Sequence, residues 1–353
     1  MHLQFITFKN GTGDERAARC VTLRVSTTSS AVAYARAVHA PTASLLAARL
    51  MVLEAHRDDA RNAPVMRSSR TRDQSRRIEK RVARVAEAFG AEAAFPEALV
   101  GFAEAMYHLR RGPMFGRGFG HDDEKTTARL AFLGASHEVA CRSLVPAVYA
   151  WNGEGSGDSG ISSGISEKEE EALFATLPAS DLALAPRAAI VVDHGAFGAF
   201  GWVGRDVGLA PGEANGDATT TTTREAAIEA VTSLATRLAR GSRSGSGSGS
   251  GSDSGPGAAG GNIPADSNVF PAAPSLVAAE GSSASRRAVC RLAPAHRDAP
   301  HEQDARFPPV RGTSLEARRA FAARAPPTEE QTFFQWMRGL GVDAPVTPWA
   351  PWR

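Results

Sequence analysis

Cysteine is scarce in this sequence, and that scarcity excludes two kinds of structure. The 353 residues contain three cysteines, Cys20, Cys141 and Cys290, which stand far apart and form no CxxC pair. Such spacing provides neither a disulfide framework nor a zinc site built on thiolates. We therefore expect a reducing, cytoplasmic compartment and no metal bound by this chain.

Long apolar runs and an excess of one charge are missing as well. No stretch approaches the roughly 18 apolar residues that span a bilayer, and Met1–Asn10 lacks the basic and apolar regions of a signal peptide. With 40 basic and 38 acidic residues the formal net charge is +2. Bulk electrostatics therefore gives no indication of a nucleic-acid-binding protein, and any association with a membrane would be peripheral.

Glycine and serine dominate two stretches of the chain. Gly153–Gly164 and Gly241–Gly261 consist largely of these two residues, which cannot bury a core. The polar, proline-containing stretch Asn262–Gln303 continues the second of them. We predict disordered insertions at about 153–166 and 241–303, with order resuming at Arg306.

Hydrophobic patterns predict the order of the structural elements between these stretches. Alternation around a glycine turn predicts a hairpin of two strands, Leu3–Phe8 and Ala18–Ser26. Helical periodicity predicts helices at Thr42–Glu54, in a basic stretch ending at Phe89, and at Pro96–Arg111, Thr126–Cys141, Glu167–Leu177 and Arg224–Arg240. Compact apolar runs predict strands at Val145–Trp151, Ala188–Asp193 and Phe197–Val203.

Three features invite a functional interpretation from the residues alone. The arginine-rich stretch Arg57–Arg84 would suit phosphates or a layer of lipid headgroups, but a solvated helical face is the favoured interpretation. The glycines of Met114–His121 follow a helix instead of a strand, which excludes a phosphate-binding loop. Asp193 and His194 form an acid–base pair in sequence, but no nucleophile accompanies them, so we interpret them as a turn.

The stretch Arg306–Met337 carries an arginine pair, Arg318 and Arg319. The pair follows a proline-containing turn and precedes a short aromatic helix, Phe333–Met337. Taken without any relative, an arginine there would be a surface residue on a strand edge. Composition and periodicity thus assign it no function.

Several motifs, in this order, resemble the C-terminal half of the SEC23 family, the GTPase-activating inner-coat subunit of COPII vesicles. The most specific match is Ala105–Arg111, which corresponds to a family segment close to F-M-F-H-L-R-R. The others are Gln4–Thr7, Arg19–Arg24, Leu45–Leu50, Ala88–Gly90, Val145–Trp151, Ile190–Asp193, Arg306–Arg311, Glu316–Phe321 and Phe333–Met337. The resemblance covers nearly the whole chain outside the two insertions and the C-terminal tail.

The resemblance implies an α+β multidomain fold. It places the C-terminal strands of a β-sandwich at 1–28, a helical domain at 29–142 and a gelsolin-like domain at 143–353. It also implies no cofactor in this chain, because the family's zinc finger lies upstream of the matched part. The family's location is cytoplasmic, peripheral on the ER membrane and on COPII vesicles.

The resemblance also implies a mechanism and a set of partners. In the family, an arginine of a Q-A-R segment enters the active site of a Sar-type small GTPase, and here that residue is Arg318. Arg319 is the alternative register, because the preceding loop is shorter than in the family. The resemblance thus implies that this chain is a GTPase activator without a substrate pocket of its own. The partners that it implies are the GTPase, the cargo-adaptor coat subunit, the outer-coat subunit and the ER membrane. Two alternatives stay open, namely a cargo-adaptor paralogue and a fragment without activity.

Overall fold

A computed structural model shows that the protein has an α+β architecture. It describes residues 2–10, 16–24, 27–61, 67–90, 94–116, 121–152, 173–209, 218–244, 274–308, 314–323 and 330–351. These residues contain eleven α-helices, a two-stranded hairpin and a five-stranded sheet. The stretch Gly153–Gly164 lies outside the described residues, and so do residues 245–261 of the second glycine- and serine-rich stretch, whereas residues 241–244 end a helix.

The N-terminal hairpin predicted from alternation is confirmed. Strands β1 (His2–Asn10) and β2 (Arg16–Arg24) pair antiparallel, with Phe5 opposite Val21. The glycine turn at 11–13 lies outside the described residues. Because an isolated two-stranded hairpin is at best marginally stable in water, this element depends on contacts beyond its own pairing.

Six helices form what we call the helical block, residues 31–144. They are α1 (Ala31–Ala37), α2 (Ala40–Arg61), α3 (Arg67–Phe89), α4 (Val100–Arg111), α5 (Asp122–Gly134) and α6 (His137–Leu144). The apolar side of α3 contributes Ile78 and Val82, both fully buried. Helix α3 ends before Gly90, where a Cβ atom would lie 2.5 Å from the carbonyl oxygen of Ala86.

The single helix predicted from Thr126 to Cys141 is wrong, because two helices share this stretch. Helix α5 ends at Gly134 and helix α6 begins at His137. The hydroxyl of Ser136 accepts a hydrogen bond from the backbone N–H of Val139 at 3.4 Å. This N-cap starts a new helix and changes the direction of the chain.

Five strands form a mixed sheet, which with its helices we call the sheet unit, residues 147–323. The strands are β3 (Ala147–Trp151), β4 (Phe174–Leu177), β5 (Ala189–Asp193), β6 (Ala199–Val203) and β7 (Ser275–Ala279). Their order is β4-β3-β5-β6-β7, and all neighbours are antiparallel except β6 and β7. Strands β5 and β6 are buried along their whole length, as their compact apolar sequences predict.

Helix α7 (Ala218–Ser244) covers one face of the sheet. Its buried Val231 and Ala235 pack against Val191 and Val203. Gly201 in β6 permits this close approach, since a Cβ atom there would lie 2.5 Å from Cγ1 of Val231. A side chain at this position would push α7 away from the sheet.

Three short helices and their connections cover the opposite face. They are α8 (Arg286–Val289), α9 (Pro300–Arg306) and α10 (Leu315–Ala322). Ala288, Phe307 and Ala322 join Ile190 and Trp202 in one buried cluster on this side. The sheet is therefore enclosed between a long helix and a layer of short ones.

Two sequence predictions in this unit are wrong. The acidic helix predicted over Glu167–Leu177 is wrong at residues 174–177, which form strand β4 and pair with β3. The disordered insertion predicted at 241–303 extends too far, because β7, α8 and most of α9 lie inside it. Strand β7 is held by parallel pairing with β6, a long-range contact that a local polar composition does not reveal.

The final helix, α11 (Phe333–Gly339), returns to the helical block. Its buried Phe333, Trp336 and Met337 belong to the same apolar cluster as Tyr107 of α4. The hydroxyl of Thr332 caps the helix by accepting a hydrogen bond from the N–H of Gln335 at 3.1 Å. The aromatic helix predicted at the C-terminus is confirmed, and it connects the helical block with the residues that follow the sheet unit.

Candidate functional site

The candidate site lies on α10, which carries the arginine pair. The helix begins where the Ser314 hydroxyl accepts a hydrogen bond from the N–H of Ala317 at 3.1 Å. Phe321 lies near Trp202 of the sheet, with 6.1 Å between ring centroids. The expectation that this arginine would lie exposed on a strand edge is therefore wrong, since the segment is a helix packed on the sheet.

Arg318 is buried, with 2% of its surface exposed. Its guanidinium carbon lies 4.7 Å from the centroid of the Phe307 ring, within the range of cation–π contacts. Nη1 donates to the carbonyl oxygen of Pro308 at 3.3 Å, while Nε and Nη2 have no partner among the described residues. Burial lowers the pKa of the Arg318 guanidinium.

Arg319, the alternative residue, has a different environment on the same helix. Its Nη2 forms an ion pair with Asp304 of α9 and donates to the carbonyl oxygen of Pro300 at 3.0 Å. The Arg319 side chain is 28% exposed. The charge of Arg319 is thus partly neutralised within the fold, whereas no carboxylate among the described residues pairs with Arg318.

The motif that precedes the arginine pair also makes defined contacts. Arg306, at the end of α9, forms an ion pair with Glu104 of α4 and so connects the sheet unit with the helical block. Burial lowers the pKa of Arg306 to about 10. Arg311 lies outside the described residues.

The most specific motif, Ala105–Arg111, lies at the contact between the helical block and the sheet unit. Arg111 donates from Nε to Glu330 at 2.8 Å and from Nη2 to the carbonyl oxygen of Leu292 at 2.8 Å. Nη1 donates to the carbonyl oxygen of Arg291 at 3.2 Å. Arg111 therefore binds a carboxylate and a group of backbone carbonyls that follow α8, which is a structural role.

Asp193 and His194 do not form a catalytic pair. Oδ1 of Asp193 accepts from the N–H of Gly195 at 2.9 Å, and Oδ2 lies 2.9 Å from Nε of Arg142. His194 is 3% exposed and packs edge-on against Phe197. Burial, and then Arg291, lower the pKa of His194 well below its ordinary value, which agrees with the interpretation of this pair as a turn.

Sequence reasoning missed a cluster of buried carboxylates beside α11. Asp181 forms an ion pair with His296, and Asp298 lies near both Asp181 and Glu302, since each of these two carboxylates raises the pKa of Asp298. These residues come from distant parts of the chain, and no local spacing indicates them.

Two features are absent from the described part of the chain. No helix there has the length and apolar character that crossing a membrane requires. No group of three or more His, Cys, Asp or Glu residues there has an arrangement that suits a metal ion.

Comparison with known proteins identifies one close sequence relationship. The chain is 29% identical over 334 residues to "Protein transport protein SEC23 A" of Arabidopsis thaliana. The match covers 93% of this chain and 30% of that protein, so this chain spans less than a third of its relative's length. No family model matches the chain.

Among solved structures, the chain resembles that of the human COPII-coat protein Sec24c. The likeness has a TM-score of 0.48 and 12% sequence identity, and it covers 96% of this chain and 37% of that one. The sequence relationship is the more informative of the two. The resemblance of this chain to the SEC23 family, which its ordered motifs indicate, is therefore confirmed over nearly its whole length.

Proposed function

We propose that this chain is a COPII coat subunit in ER-to-Golgi transport that stimulates GTP hydrolysis by a Sar-type small GTPase through Arg318. The observation that carries the proposal is the state of Arg318, a buried cation on the family-like segment, two of whose nitrogens have no partner in the part of the chain that the structure describes. The relationship to a protein transport protein supplies the context.

The chemistry of phosphoryl transfer explains the choice of residue. As the bond between the β- and γ-phosphates breaks, negative charge develops on the phosphate oxygens, and an arginine supplied by a second protein stabilises it. Such arginines accelerate hydrolysis by roughly 10³- to 10⁵-fold. A planar guanidinium donates two parallel hydrogen bonds, which a lysine ammonium cannot reproduce.

The surroundings favour Arg318 over Arg319. To reach a nucleotide, Arg318 has to leave the Phe307 ring and one hydrogen bond of 3.3 Å. Arg319 would have to break an ion pair with Asp304 and a hydrogen bond to Pro300. Arg318 has fewer partners than Arg319 among the described residues. Moving its side chain to a phosphate therefore costs less free energy and forms more new hydrogen bonds.

The remaining parts of the proposal concern the setting of this activity. The chain acts in trans on a GTPase and has no substrate pocket or cofactor of its own. Its partners are the GTPase, the cargo-adaptor subunit, the outer-coat subunit and the surface of the ER membrane, and it binds no nucleic acid. Its location is cytoplasmic, at the ER membrane and on COPII vesicles.

Single-turnover GTP hydrolysis by a Sar-type GTPase tests the proposal. We expect the chain to accelerate hydrolysis, Arg318→Ala to abolish the acceleration, and Arg319→Ala to retain most of it. If Arg319→Ala alone abolishes the acceleration, the arginine that acts on the GTPase is Arg319 and not Arg318. If neither variant differs from the wild-type chain, the assignment of the arginine is wrong.

A further inference from the structure

The guanidinium of Arg318 is enclosed by the chain that carries it. Only 2% of the residue is exposed, so a phosphate bound to a second protein cannot contact the guanidinium in this arrangement. A donor that stabilises charge on a reacting group has to come within hydrogen-bond distance of it. In this enclosed state, Arg318 is therefore withheld from a partner.

Two consecutive residues enclose the guanidinium. Its carbon lies 4.7 Å from the centroid of the Phe307 ring, a cation–π contact that is stronger away from water. Its Nη1 donates to the carbonyl oxygen of Pro308, the next residue, at 3.3 Å. Phe307 is itself only 2% exposed, so the ring and the cation shield each other from solvent.

The backbone of Phe307 is held in place, whereas free space adjoins its side chain. The N–H of Phe307 donates to the carbonyl oxygen of Gln303 at 2.8 Å, and the preceding Arg306 forms an ion pair with Glu104 of α4. Phe307 also lines a cavity of about 80 Å³, several times the 10–15 Å³ or so that one water molecule requires. The ring therefore has room to tilt while its backbone keeps its place.

The contacts that enclose Arg318 are weak enough to be exchanged for others. Its one hydrogen bond is long, and Nε and Nη2 have no partner among the described residues. A phosphate would offer a guanidinium two short, charge-assisted hydrogen bonds at once. The enclosed state can thus persist without a partner and give way when a phosphate comes close.

We propose that Phe307 is a gate residue, whose ring keeps Arg318 enclosed in the free chain and releases it when the GTPase presents its nucleotide. The inference rests on the proposed function of Arg318, and it adds a regulation of that same site. Phe307 acts through Arg318 and is a positioning residue. The free chain is accordingly a restrained activator.

A weaker gate should make a stronger activator. The acceleration of hydrolysis is reduced by the fraction of the time that Arg318 is enclosed. Phe307→Leu keeps an apolar side chain but removes the aromatic face, which weakens the enclosure by about 3- to 30-fold. With the chain below saturation, we expect this variant to raise the single-turnover rate of GTP hydrolysis by up to that factor. A purely structural role of Phe307 would lower the rate or leave it unchanged.

The reactivity of Arg318 towards an arginine-specific dicarbonyl reagent, phenylglyoxal, measures the enclosure without any GTPase. Peptide mass spectrometry compares Arg318 with the exposed Arg287 in the same sample. In the free wild-type chain we expect Arg318 to react at least about tenfold more slowly than Arg287. In Phe307→Leu we expect the reaction of Arg318 to be about 3- to 30-fold faster than in wild type.

Phe200→Leu is the matched control. Phe200 is a buried phenylalanine of the same apolar cluster, and it carries the guanidinium of Arg291 at 3.7 Å from its centroid. This variant loses a cation–π contact elsewhere, so both the reactivity of Arg318 and the rate of hydrolysis should stay at the wild-type values.

Three results would overturn the gate. They are an Arg318 that reacts as fast as Arg287 in the wild-type chain, a reactivity that Phe307→Leu does not raise, and a rate of hydrolysis that this variant does not raise. The first needs no variant, so it decides even if Phe307→Leu does not fold. The proposed function fails separately, when Arg318→Ala leaves the acceleration intact, whatever the reactivity of Arg318.

Discussion

Arg111 and Arg318 are both buried arginines, but their surroundings are opposite. Arg111 donates to Glu330 and to the carbonyl oxygens of Arg291 and Leu292. Arg318 makes one hydrogen bond, to Pro308, and two of its nitrogens have no described partner. A buried charge is costly unless it is paired and hydrogen-bonded. The described residues therefore account for the burial of Arg111, whereas they leave two nitrogens of Arg318 without a partner.

The largest effect expected from this comparison is on stability at Arg111. Replacing it by alanine removes the ion pair with Glu330 and the donor of several carbonyl groups, which costs about 1–3 kcal/mol. Urea unfolding of Arg111→Ala measures the loss. Arg110→Ala is the matched control, because the neighbouring Arg110 is 24% exposed and pairs with Glu79, so it should lose about 1 kcal/mol or less. Equal losses in the two variants would show that Arg111 does not join the two units.

A second, smaller effect on stability is expected at His194, whose pKa is lowered in part by the nearby charge of Arg111. Burial first, then Arg291, and to a lesser extent Arg111, lower the pKa of His194 well below its ordinary value. The unfolded chain therefore binds a proton at His194 that the folded chain does not bind. The free energy of unfolding consequently falls as the pH decreases below about 6.5. The loss is at most about 1.4 kcal/mol per pH unit.

Unfolding curves between pH 7 and 5 test this effect of His194. In His194→Gln the contribution of residue 194 to the slope should disappear, whereas the absolute stability at pH 7 also reflects the changed packing. The comparison therefore uses the slope and not the absolute stability. A slope equal to that of the wild-type chain would show that the pKa of His194 is the same in the folded and unfolded states.

The smallest stability effect is expected at Arg318 itself. Arg318→Met replaces a buried, poorly satisfied cation by an apolar side chain of similar length, and such changes are often neutral or stabilising. We expect the free energy of unfolding to stay within about 1 kcal/mol of wild type or to increase. A loss similar to that of Arg111→Ala would mean that Arg318 has a structural role and would weaken the proposed function.

Much of the framework follows from local sequence patterns. Alternation indicates the β1–β2 hairpin, and compact apolar runs indicate β5 and β6, because each pattern matches the burial of its own element. The arginine-rich α3 keeps Ile78 and Val82 buried, as its apolar spacing predicts. The domain boundaries at 28 and 142 stay predictions.

The failures share a physical cause, which is contact between distant parts of the chain. The sequence of strand β7 predicts that it belongs to a polar insertion. Its pairing with β6 depends on residues more than 70 positions away. Residues 174–177 follow an acidic run and yet pair with β3. The burial of Arg318 likewise depends on the Phe307 ring of a neighbouring segment, so no spacing within α10 reveals it.

The central claim is that Arg318 serves catalysis by another protein and not the stability of its own fold. The most direct test is the single-turnover rate of GTP hydrolysis by a Sar-type GTPase in the presence of Arg318→Lys. This variant keeps the charge but lacks the planar fork, so the account predicts wild-type stability and a loss of at least about 100-fold in the acceleration. An acceleration equal to that of the wild-type chain would contradict it.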